Sequence, residues 1–165
     1  MAGGGMSVRR PIAVDFPAAA AVLVESHGRS IYAGRDTVDM IRLKQTFLDA
    51  LHRHGQRNCG ATFINVAERD GVIVGIIIGW LERVYHIGTK LMATDLFYVP
   101  SPKCSDRDAI ELFRNFEDWA TENPAVIEIK LGLTNALGDY GRTEAMYLRM
   151  GYAPAGAMFE KRIAR

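Results

Sequence analysis

Residues 61–82 read ATFINVAERDGVIVGIIIGWLE. Two β-rich runs, Ala61–Arg69 and Val72–Glu82, flank Asp70-Gly71, a two-residue connection that needs positive φ and so predicts a tight hairpin. Leu91–Val99 is predicted as a third strand, antiparallel to the second because the link through His86-Ile87-Gly88 is short. A helix over about Asp106–Glu122 follows, with Ala109, Leu112, Phe113, Phe116 and Ala120 on one face. Val126–Leu131 is the next strand, and a strand–helix–strand run of this length implies parallel pairing.

Outward from this centre the pattern continues both ways. Residues 7–14 read as a first strand with an edge proline, Pro11. Asp15 caps a helix with Pro17 in its first turn and the Ala18–Val24 run behind it. A second helix is expected from about Thr37 to His54, with Asp36 as N-cap, Met40, Leu43, Phe47 and Leu51 at helical spacing, and Gly55 closing it. Downstream, Asp139 or Gly141 opens a helix carrying Ala145, Tyr147, Leu148 and Met150 and ended by Gly151. Met158–Ile163 is expected as a last strand. The fold class is α/β (α+β): a central mixed, mostly antiparallel sheet of about six to seven strands with helices on both faces. Residues 1–6 read as a flexible leader and 7–165 as a single domain.

Composition narrows the function classes. The chain has 165 residues, 48% apolar and 24% charged, with a formal charge of +1. That balance carries no basic footprint for nucleic acid. The longest apolar run, Val72–Leu81, is interrupted by glycines and too short to span a bilayer. Cys59 and Cys104 form no CxxC pattern, which suits a reducing cytosol, and the expected location is cytoplasmic. GxGxxG, GxxxxGK[ST] and HExxH are absent. His52 and His54 are two apart and do not share a helix face, so no metal site is predicted.

The stretch with most chemistry in it is DLFYVPSPKCSDRDAIELFRNFEDWA, Asp95–Ala120. A strand feeding a helix through a short loop aims main-chain N–H groups at a phosphate. This loop has no glycine, and Asp106 and Asp108 put negative charge at the helix start. The alternative reading is an ordinary acidic helix start capped by Ser105.

With VAERDGVIVGIIIGWLE (66–82), DLFYVP (95–100), FEDWA (116–120) and AMYLRMGY (145–152) in this order, the chain resembles the GNAT superfamily of acyl-CoA-dependent N-acyltransferases. The loop is similar to that of diverged bacterial or bacteriophage members. The resemblance covers nearly the whole chain and is closest over 66–82 and 95–152. It implies that the strand at Thr94–Val99 splays from Val126–Leu131, and that the pantetheine arm of acetyl-CoA or another acyl-CoA lies in the gap on the backbone of Leu96, Phe97, Tyr98 and Val99. It further implies that Lys103, Cys104, Ser105, Asp106, Arg107, Asp108 and Ala109 hold the pyrophosphate. The family pattern [QR]xxGx[GA] falls on 104–109, where only Ala109 matches. Cys104 stands for Gln or Arg, and Arg107 for the first glycine. Lys103, Arg107 and Arg114 are the cations expected to offset the two aspartates.

By the same resemblance Tyr147 is the acid that protonates the departing thiolate and Asp95 the base. The alternatives are a core aromatic and an edge aspartate paired with a basic group. Alternation places Phe97 and Val99 on the face of Asp95. His86 is a second candidate base, or else a solvated turn histidine. His27, Ser30 and Tyr32 are expected to line the acceptor pocket, with Trp80 and Glu82 facing it. Tyr140 stands where many members have asparagine. The implied activity is transfer of an acetyl or acyl group to a primary amine of a small molecule or protein in a ternary complex. The alternative is a catalytically silent GNAT-fold binding module. No nucleic-acid or membrane partner is expected, and homodimerisation is common in the fold.

Overall fold

A computed structural model describes residues 5–138 and 140–163, with Met6 described by its backbone alone. Five strands form one sheet in the order β1-β2-β3-β4-β5: Met6–Arg9, Thr62–Arg69, Val72–Arg83, Leu91–Pro100 and Val126–Lys130. The first three junctions are antiparallel, and β4 with β5 is parallel. Asp70 and Gly71 turn the β2–β3 hairpin at φ 52° and 78°, the left-handed pair that an Asp-Gly connection supplies.

Helices cover both faces. On one side α1 (Phe16–Gly28) and α2 (Met40–His52) bury Ala20, Leu23, Leu43 and Phe47 against Ile64, Val66, Ile76 and Ile78. On the other, α3 (Asp106–Thr121) and α4 (Gly141–Arg149) bury Leu112, Phe113, Phe116, Met146 and Tyr147 against Phe63, Ile77, Leu81 and Ala93. The two strand glycines let α3 approach the sheet. A Cβ at Gly79 would stand 2.3 Å from Phe116 Cε2, and one at Gly75 3.0 Å from Leu112 Cδ1. The glycine spacing of four in β3 thus receives two side chains one helical turn apart.

Several expectations need correction. The sheet has five strands among the described residues, not six to seven. Met158–Ile163 is not a strand there: Met158 and Phe159 are 75% and 96% exposed, with no partner strand to bury them. The first strand stops at Arg9 rather than 14, and residues 13–15 form a 3-10 turn. Asp15 occupies the N-cap position of α1 but its side chain caps no N–H of that helix; its carboxylate accepts from Arg9 and from the Ile12 N–H at the start of the 3-10 turn. Asp39, not Asp36, caps α2, accepting from the Ile41 and Arg42 N–H groups at 2.9 Å each. Val38 just before the cap and Leu43 at the fourth helical position both join the α1–α2 core, the positions a hydrophobic staple would use. Of the proposed leader, residues 1–4 lie outside the described residues and Met6 begins β1. Asp139 also lies outside them, and α4 opens at Gly141.

Candidate active site

The site is built on a fork between β4 and β5. Parallel pairing runs from Leu91↔Val126 to Thr94↔Lys130 and stops there, while β4 continues to Pro100 against β3 alone. Beyond Thr94, β4 therefore has an edge unclaimed by β5. Asp95 sits at the point of divergence, and its Oδ1 accepts the Gly132 N–H at 3.1 Å, tying the end of β5 to the fork. Burial pushes the Asp95 carboxyl up, against the opposing effect of the Gly132 N–H and its own.

The β3–β4 register slips between Ile78↔Phe97 and Gly79↔Asp95, leaving Leu96 as an extra residue on β4. The bulge changes which side chains share a face. Leu96, Phe97 and Val99 pack toward α1 and α2, whereas Ala93 and Tyr98 pack toward α3 and α4. Asp95, two residues from Ala93, points to the α3–α4 side, where its charge acts on Tyr147. The expected sharing of a face by Asp95, Phe97 and Val99 is thus broken by one inserted residue.

Tyr147 is 6% exposed, its ring centroid 5.1 Å from that of Phe113 and 5.8 Å from that of Tyr152. Among the described residues its hydroxyl has no hydrogen-bond partner. Burial pushes the Tyr147 phenol well above the ordinary tyrosine range, and the Asp95 charge adds to that, so it keeps its proton throughout the physiological range. Tyr98 has a different task. Its hydroxyl donates to the Ala109 carbonyl at 2.9 Å and pins the first turn of α3 to β4.

The loop at 101–109 is closed on itself. Ser101 N–H donates to Val74 O, Lys103 N–H to Ser101 Oγ and Cys104 N–H to Ser101 O. Ser105 Oγ accepts the Asp108 N–H and Asp108 Oδ2 accepts the Ser105 N–H, each at 3.3 Å, a reciprocal cap of the helix. Arg69, from the end of β2, reaches over to donate to Asp108 Oδ2 at 2.6 Å and to Ser105 Oγ at 3.0 Å. Arg142, from α4, pairs with Asp106. Lys103 and Arg107, the cations expected to compensate, are exposed and have no ion-pair partner among the described residues. Arg69 and Arg142 were not among the expected site residues. They lie 39 and 36 positions from their partners, beyond any local pattern. Ala109 N–H continues the helical ladder to Ser105 O. Cys104 is a protonated thiol rather than a nucleophile: burial pushes it up to about 11, and Asp108 adds to the shift.

The acceptor-side candidates lie on separate elements. His27 lies in the last turn of α1, and its carbonyl accepts the Ser30 hydroxyl at 2.7 Å; Ser30 Oγ in turn accepts the Tyr32 N–H at 3.1 Å. Ile31 N–H donates to Ala136 O, joining this loop to the segment after β5. Tyr32 is half exposed and borders a hollow with Arg35, Asp36 and residues 160–162. Trp80 pairs with Thr94, the last β4 residue before the fork, and Glu82 with Met92. His86 lies in the turn before β4, its Nδ1 3.5 Å from Glu82 Oε2. Leu91 alone is about 13 Å from Asp95 at ~3.3 Å per strand residue, so His86 belongs to the opposite end of β4. It is the solvated turn histidine, with Tyr85 and itself in left-handed backbone conformation at φ 51° and 62°.

No protein-family model and no curated protein sequence matches the chain. Solved structures do. Glucosamine-6-phosphate N-acetyltransferase from Arabidopsis thaliana superposes with a TM-score of 0.67 at 11% identity, over 97% of this chain and 99% of that one. Ribosomal-protein-alanine N-acetyltransferase from Brucella melitensis biovar Abortus 2308 gives 0.66 at 16% identity, over 97% and 100%. AAC(6')-Iy in complex with the bisubstrate analog CoA-S-monomethyl-acetylneamine gives 0.66 at 12% identity, over 98% and 99%. The chain therefore shares the fold of these acetyltransferases over nearly its whole length. No helix among the described residues is long and apolar enough to cross a membrane.

Proposed function

We propose that this protein is an acyl-CoA-dependent N-acyltransferase that moves an acetyl group directly to a primary amine. The observation that carries this reading is the fork: among the described residues β4 is unpaired beyond Thr94 on the β5 side, with Asp95 at its apex and the Tyr147 hydroxyl without a hydrogen-bond partner. The free β4 edge offers main-chain groups of Leu96–Val99 to a pantetheine arm, as an added strand would use them. AAC(6')-Iy, which shares the fold, carries a CoA bisubstrate analog in its structure.

In this reading the amine nitrogen attacks the thioester carbonyl, forming the C–N bond. Asp95, or a water it holds, takes the ammonium proton. Leu96, unopposed in the ladder, supplies a main-chain N–H for the oxyanion. The C–S bond then breaks, and the thiolate takes the proton of Tyr147. A specific observation favours the second reading, a GNAT-fold binding module: the α3 start is occupied by Ser105, Asp108 and Arg69. Thiol release from acetyl-CoA across a panel of small amines and amino-terminal peptides separates the two.

The pH profile of that release tests Asp95. A base must be ionised, and burial raises this carboxyl. The acid limb of kcat/KM is therefore expected above the ordinary aspartate value of about 3.9, with activity falling as pH drops through it. Asp95→Asn is expected to abolish the limb along with most of the rate; a variant keeping both would take the base role from Asp95.

A further inference from the structure

The two aspartates at the α3 start differ in how firmly they are held. Asp108 is 1% exposed and locked between the Ser105 N–H and Arg69, and its Oδ1 is buried with no partner. It takes up the Ser105 N–H, while Ser105 Oγ takes up the Asp108 N–H. Asp106 is different. Its side chain is 68% exposed and that of its partner Arg142 is 80% exposed. Pairs this open to solvent are held weakly and exchange readily.

Arg142 does not stand alone on its helix. Arg149 follows seven residues later, two turns, and so lies on the same side of α4; its charge also acts on the Asp106 carboxyl. Met146, between them on this side, is within reach of the Tyr98 hydroxyl at 3.8 Å, which sets this side of α4 toward the first turn of α3. A diphosphate presents two anionic groups, and guanidinium forks match phosphate oxygens without any need for glycine in the loop. The Asp106 and Arg107 N–H groups, the first two of α3, have no partner inside the helix and lie beside the same spot.

We propose that the diphosphate of the acyl donor is held by Arg142 and Arg149 of α4, in exchange for Asp106, instead of by the loop backbone. This rests on the acyl-CoA reading above. It explains how a loop without glycine and with a filled cap serves a nucleotide: the anion is gripped from the facing helix.

The test is calorimetric binding of acetyl-CoA and of S-acetylpantetheine, which lacks the diphosphate, to the wild-type protein, Arg142→Gln and Asp106→Asn. Both substitutions are at exposed positions, so folding is expected to be unaffected. Arg142→Gln should weaken acetyl-CoA by roughly 10- to 100-fold, the range for a charge-assisted hydrogen bond, and leave S-acetylpantetheine unchanged. Asp106→Asn should tighten acetyl-CoA, because the competing carboxylate is gone. Equal wild-type affinity for the two donors, or unchanged acetyl-CoA affinity in Arg142→Gln, overturns the diphosphate grip while leaving the acyl-CoA reading in place. Equal weakening of both donors in Arg142→Gln would mean a disturbed α4 and overturns it too. A wild-type protein that binds neither donor removes both readings.

Discussion

Arg69→Met is expected to destabilise the protein by about 3 kcal/mol at neutral pH, the low end for breaking a buried ion pair because Arg69 itself is 43% exposed. For a chain of this size that is a fall in Tm of roughly 6–12 °C. The cost arises at Asp108, 1% exposed, whose Oδ1 already lacks a partner. Burial alone would raise its carboxyl, but the hydrogen bonds from Ser105 and Arg69 outweigh it and hold the carboxyl below the usual range. A carboxyl lowered on folding contributes stability that is present above its unfolded value near 4 and is lost as pH falls through the folded one. Without Arg69 the buried carboxylate loses that advantage, so the deficit should be largest at neutral pH and shrink on acidification. Adding Asp108→Asn to Arg69→Met should recover much of the loss, since an amide oxygen still accepts the Ser105 N–H without a buried charge. Thermal unfolding of the three variants between pH 4 and 8 measures this. A deficit independent of pH would show that Arg69 acts through packing alone.

Tyr147→Phe is expected to lower kcat by about 100-fold or more, the range for loss of a positioned general acid, with little change in acetyl-CoA affinity. Phenylalanine keeps the ring that packs on Phe113 and Tyr152. The hydroxyl removed makes no hydrogen bond with a described residue, so the melting temperature should hardly move. That pairing of a large kinetic effect with a silent thermal one is what distinguishes an acid from a core aromatic. Unchanged turnover would return Tyr147 to the core.

The parts of the fold that were legible in sequence are those written by local chemistry. Asp70-Gly71 specifies its turn at any tertiary context, Ser105 announces a helix start, and the apolar stripe from Leu112 to Ala120 aims α3 at the sheet. Asp36 misled because a capping residue alone does not fix a helix start; the helix begins where Asp39 caps it, with Val38 and Leu43 on either side joining the α1–α2 core. At the site, the resemblance pointed to Asp95 and Tyr147 and the residue pattern to the strand–loop–helix, but neither gave the geometry between them. One extra residue, Leu96, reassigned every side chain after it, and a bulge leaves no composition signal. Arg69 and Arg142 were invisible for another reason. Which arginine meets which aspartate is decided by how β2 and α4 pack on α3, contacts made across 39 and 36 residues of chain. The final segment shows the converse: Met158–Ile163 has strand-like composition, yet a strand exists only when an edge accepts it.

The central claim is that the fork between β4 and β5 receives an acyl-CoA, and thermal unfolding with and without acetyl-CoA tests it most directly. At a free concentration of about 100 times Kd, binding to the native state alone adds roughly 2.7 kcal/mol, a rise in Tm of about 5–10 °C for a chain of this length. A rise of that order is the predicted result; an unchanged Tm at millimolar acetyl-CoA would contradict the account.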